Sequence, residues 1–81
     1  MPYVGRTRAD LEREMLDRIQ DDLPHVRRIA RNVGYQHAAW DMILTAEEVL
    51  RGGSYWPYRS RDEAMWQCAK YFQQLRRERG L

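Results

Sequence analysis

Leu11, Met15, Ile19 and Leu23 stand four residues apart, with Leu16 beside them. That spacing stacks apolar side chains on one side of an α-helix. The same period returns twice. It runs through Tyr35, Ala38, Ala39, Met42, Ile43, Ala46, Val49 and Leu50, and again through Met65, Cys68, Ala69, Phe72 and Leu75. No stretch alternates apolar and polar residues between turn signals, so no strand is expected. The fold class read from this pattern is all-α, a compact bundle of three to five helices with no sheet. Its 81 residues suit one helical domain spanning 1–81.

Boundaries follow from breakers and caps. Thr7 with Asp10 three residues on is a weak capping box, and it opens the first helix. Pro24 is expected to end that helix, because proline lacks the N–H and disfavours helical backbone before it. A short second helix is then expected from Pro24 to Val33, with Val26, Ile29, Ala30 and Val33 inward and Gly34 as its stop. The third is expected from Tyr35 to Arg51, with a competing capping box at Thr45 and Glu48 that offers a break. Gly52 and Gly53 terminate it. Ser60 and Glu63 cap the last helix, whose closing arginines suit the negative end of its dipole.

Several classes of function are disfavoured. No apolar run approaches the roughly 20 residues needed to cross a bilayer, and the first ten residues lack the apolar core of a signal peptide. The single cysteine, Cys68, cannot form an internal disulfide, and it lies on an apolar stripe where a thiol is inert. A cytoplasmic setting is therefore expected. His25 and His37 have no cysteine or paired carboxylate in register, so no metal is expected. Gly52-Gly53 follows a helix and precedes no Lys-Ser or Lys-Thr, so no phosphate loop is formed and no cofactor is expected. Glu47 and Glu48 are adjacent and diverge by about 100° on a helix, so they cannot work as one acid–base pair. The expectation is a protein that is not an enzyme.

What remains points to binding. Trp40 and Leu44 fall off the third helix's stripe, Trp66 falls off the last helix's stripe beside Lys70, Gln73 and Arg77, and Trp56 sits in a loop with Tyr55 and Tyr58. Trp and Tyr dominate interface hot spots because they bury much area at little entropic cost. The competing reading makes the aromatic loop a lid folded over Trp66. A homodimer seam through Trp40 and Leu44 is a variant of the interface reading. Charge is uneven along the chain. Residues 36–50 hold Asp41, Glu47 and Glu48 with no Lys or Arg, while 51–81 hold seven Lys and Arg against three acids. Arg27, Arg28 and Arg31 project from one helix face, and their forked guanidinium groups suit phosphate or carboxylate. They are equally suited to pairing with Asp17, Asp21 or Asp22.

The stretch from Val26 to Ile43 resembles a helix-turn-helix. Ala30 occupies the motif's small-residue position and Gly34 its turn, while Ile29, Val33, Tyr35, Trp40 and Ile43 fill its apolar positions. The resemblance covers roughly a quarter of the chain and implies a recognition helix from about Gln36, with Gln36, His37 and Ala38 near the bases. It departs from the pattern at bulky Trp40. The implied recognition helix also carries three acids and no Lys or Arg, which phosphates repel.

The leading expectation is a small non-enzymatic binding protein acting by occlusion of a larger protein or ribonucleoprotein, with no membrane partner. Its size and its lack of a catalytic set fit a phage-type inhibitor of a host defence complex, similar in kind to anti-CRISPR proteins. The alternative is a helix-turn-helix transcriptional regulator with DNA as partner.

Overall fold

The computed structural model describes residues 5, 7–34 and 38–79, without the side chains of Val33 and Arg79. Three helices make up its regular structure: α1, Arg8–Val33; α2, Ala39–Arg51; and α3, Arg61–Arg79. No strand occurs among the described residues.

Pro24 does not end α1, contrary to the sequence expectation; the helix runs through it for 26 residues. An interior proline costs about 3 kcal/mol. Breaking the helix there would cost more, because Ile19, Leu23, Val26, Ile29 and Ala30 on both sides of it are all buried. Pro24 and Gln20 lie on the exposed side, where water reaches the carbonyl that loses its donor. The first two expected helices are thus one. The expected start of the third at Tyr35 lies outside the described residues, and α2 begins at Ala39. It is continuous through Thr45, whose hydroxyl donates to the Asp41 carbonyl at 3.0 Å within the same helix.

The caps form as the sequence implies. The Asp10 N–H donates to Thr7 Oγ1 at 3.1 Å, and the Thr7 N–H donates to Asp10 Oδ2 at 3.2 Å. Gly52 takes a left-handed φ of 79°, its N–H donates to the Val49 carbonyl at 3.1 Å, and the Gly53 N–H donates to the Glu48 carbonyl at 2.8 Å. This is a Schellman ending, which favours glycine at the left-handed position. The Glu63 N–H donates to Ser60 Oγ at 3.1 Å, while the Glu63 carboxylate accepts from the Arg59 N–H at 2.8 Å.

Ion pairs report how the helices run. Arg8 pairs with Asp62, Glu12 with Arg61, and Asp22 with Arg76 at 2.5 Å, so α1 and α3 lie parallel. Arg61 also donates to the Val49 carbonyl at 3.2 Å, and the Cys68 thiol faces the Met42 carbonyl, so α2 runs opposite to α3. Arg61 therefore joins all three helices. The core between them centres on Phe72, Ile19, Ile43, Val26, Val49 and Cys68. The radius of gyration is 13.8 Å, against about 12 Å for a compact chain of this length. A 26-residue α1, about 39 Å long, accounts for the excess. Two grooves stay open to solvent, one between α2 and the loop that follows it and one between α1 and α3.

Candidate functional site: two grooves, two tryptophans

The loop after α2 is short and held tightly. The Trp56 N–H donates to Ser54 Oγ at 3.1 Å, and the Tyr58 N–H donates to the Tyr55 carbonyl at 2.8 Å. The Trp56–Pro57 peptide bond is cis. This turn brings Trp56 and Pro57 against the outer face of α2. Together with Asp41, Met42, Leu44, Thr45 and Glu48 they line a groove of about 560 Å³. Trp56 is 81% exposed and Leu44 60% exposed, while Tyr55 faces largely outward.

Tyr58 behaves differently from its loop neighbours. It is half-buried, packs against the core, and its hydroxyl donates to Met42 Sδ at 3.5 Å. Its pKa is raised, first by burial and then by the nearby Cys68 and Glu63. Tyr58 is thus the inner wall of the groove and Trp56 its outer lip. The loop does not cover Trp66, which is 56% exposed in another groove, so the lid over Trp66 considered from the sequence is not formed.

Trp40 departs from the expected outward placement. It is half-buried against the core, and its indole N–H donates to the Gly34 carbonyl at 3.1 Å. The reason lies in the α1–α2 connection: the ring fastens the end of α1 to the start of α2, a role that a helical wheel drawn for one helix cannot reveal. With Trp40 turned inward, Leu44 remains as the exposed apolar residue on that side of α2.

The arginine face is also divided. Arg27 is half-buried and pairs with Glu47 of α2 at 2.5 Å. The expected pairing with Asp17, Asp21 or Asp22 is not what occupies it, because Asp22 is held by Arg76. Arg28 and Arg31 remain exposed. Of the residues that the helix-turn-helix resemblance placed near bases, Gln36 and His37 lie outside the described residues. Ala38 is exposed at the start of α2.

Cys68 is buried, and burial pushes its thiol up to about 12. It is protonated at neutral pH, which removes the reactive thiolate. No group of three or more His, Cys, Asp or Glu side chains among the described residues could hold a metal ion. Among the described residues no helix is long and apolar enough to cross a membrane. No family model, curated protein or solved structure matches this chain.

Sequence reasoning missed the α2 side of the groove apart from Leu44. Asp41, Thr45 and Glu48 recur at helical spacing with Leu44 between them, and that pattern was readable as one exposed stripe. What made it a groove wall is the loop folded against it.

Proposed function

We propose that this protein is a non-enzymatic binding module whose partner surface is the groove between α2 and the aromatic loop. The observation that carries the reading is Trp56, 81% exposed beside Leu44 at 60%. A large ring held outward on a tightly bonded turn loses little entropy on docking. The groove wall behind it gives an incoming apolar side chain a place to bury. Asp41 and Glu48 on the α2 wall favour a partner with basic residues around that anchor. The mechanism is occlusion of a site on a larger protein or ribonucleoprotein in the cytoplasm. Within that class, a phage-type inhibitor of a host defence complex, of the anti-CRISPR kind, suits a chain this small whose exposed features are aromatic anchors. The small three-helix bundle is the rigid support for the loop.

The test is retention of a partner from a host lysate on the tagged protein, compared across variants. Trp56→Ala should weaken the retained complex about 30-fold, the loss of a hot spot of roughly 2 kcal/mol. Trp66→Ala should leave that complex intact. Equal retention by wild type and Trp56→Ala would overturn the assignment.

A second reading draws support from Arg28 and Arg31, exposed on the last turns of α1 just before Gly34. They could contact DNA phosphates in a helix-turn-helix regulator. Duplex DNA retarded at low salt, and released by Arg28→Ala/Arg31→Ala, would favour that reading over the first.

A further inference from the structure

On the other side of the molecule, Trp66 stands over a groove between α1 and α3 whose floor is Leu11, Met15 and Ala69. The ring is 56% exposed and Leu11 51% exposed. The groove continues toward the end of α3, with Arg18 and Gln73 lining both halves and Arg76 and Arg77 lining the far half. Trp66, Lys70, Gln73 and Arg77 form one stripe of α3 at helical spacing, about 16 Å long from Trp66 to Arg77. Four cationic side chains line the two halves against two carboxylates, Glu14 and Asp22, and Asp22 is held by Arg76. Arg18, Lys70 and Arg77 form no ion pair among the described residues.

We propose that this α1–α3 groove binds single-stranded nucleic acid, with a base stacked on Trp66 and the following phosphates led along Lys70, Arg18 and Arg77. An exposed aromatic plane beside a row of cations is the arrangement that holds an unpaired strand without reading its sequence. Cations on both walls call for negative charge that repeats along the ligand, as phosphates do. The stacking partner must be unpaired, because bases inside a duplex keep their faces covered. Gln73, between the cations, offers an amide to base edges or sugar hydroxyls. An acidic peptide would meet the cations but supply no flat ring in step with its charges. The site is separate from the Trp56 groove and does not depend on that groove's assignment.

Fluorescence anisotropy of a short labelled oligothymidylate, titrated with the full chain, tests the proposal. Binding should weaken about a hundredfold for a tenfold rise in salt, a slope of about −2 for three phosphate contacts on a single strand. Lys70→Ala/Arg77→Ala should flatten the slope to about −0.7. Trp66→Ala should cost about tenfold, and Trp66→Phe should restore most of it. Trp56→Ala should change nothing. All these positions are solvent-facing, and circular dichroism of each variant checks that the helices persist. The proposal is overturned if a hairpin duplex binds as tightly as the single strand, or if polyglutamate of equal charge displaces the strand as effectively as unlabelled oligothymidylate. Absence of binding at low salt, or indifference to Trp66→Ala, overturns it equally.

Discussion

The groove under Trp56 and the groove beside Trp66 are lined by the same kind of apolar residue and differ in how they are held and charged. The first is a loop folded onto a helix: the backbone that carries its ring is held by hydrogen bonds in the turn, and its helix wall carries Asp41 and Glu48. The second lies between two parallel helices. Its ring stands on α3 at the head of a row of cations, and Asp22 and Arg76 join its walls. The difference teaches that an exposed indole is defined by its neighbours: one Trp sits with acids and one with bases, so each suits a different partner.

The largest effect should come from the core that both grooves share. Phe72→Ala opens a cavity at the largest of the fully buried side chains and should cost about 3–5 kcal/mol. Chemical denaturation should show that loss, and the two proposed binding activities should fall together. If only one falls, the grooves are not built on one core. Arg76→Met should strand the Asp22 carboxylate, which is only 3% exposed, and lower stability by about 2 kcal/mol. That is less than for a fully enclosed pair, because the Arg76 side chain is 41% exposed. Oligothymidylate binding should weaken in this variant, while capture of a partner through Trp56 should persist at a temperature where it remains folded.

Alkaline pH probes the wall between core and loop. The Cys68 thiol is raised from 9.0 to about 12 by burial. Its contribution to stability is therefore whole below pH 9 and drains as pH rises toward 12, at no more than about 1.4 kcal/mol per pH unit. Tyr58 shifts in the same direction. Urea midpoints should fall more steeply above pH 9 in wild type than in Cys68→Ala, and equal slopes would mean that the thiol is not sealed. Trp40→Phe deletes the hydrogen bond to Gly34 and part of the ring's packing on the core, and should cost about 1–2 kcal/mol in thermal denaturation. Smallest of all, Trp56→Ala and Trp66→Ala should each shift folding stability by less than about 0.5 kcal/mol. A larger loss at either position would turn that groove from a binding surface into part of the fold.

Much of the helical pattern was legible in local spacing. The stripe through Met65, Cys68, Ala69, Phe72 and Leu75 is buried throughout, and Thr7, Gly34, Gly52 and Ser60 sit at helix ends where their chemistry suits them. These features depend on a handful of consecutive residues. Pro24 was misleading because its local penalty is outweighed by burial on both sides, which no short window records. In the sequence Trp40 and Trp66 were alike, each off its helix's stripe, with Trp56 in a loop, and they diverged on folding: Trp40 turned inward and the other two did not.

The chain's order of residues alone determined that it would be helical, where most helix ends fall and that Cys68 would be interior, because a repeat of 3.6 residues and a cap's hydrogen bonds are satisfied among near neighbours. Only the tertiary structure decided which aromatics stay in water and which charges are paired. Asp22 meets Arg76 across 54 positions, and Leu11 remains half in solvent although its stripe is buried further on. Exposure belongs to the space between elements, and the side chain that fills it is supplied by a distant part of the chain.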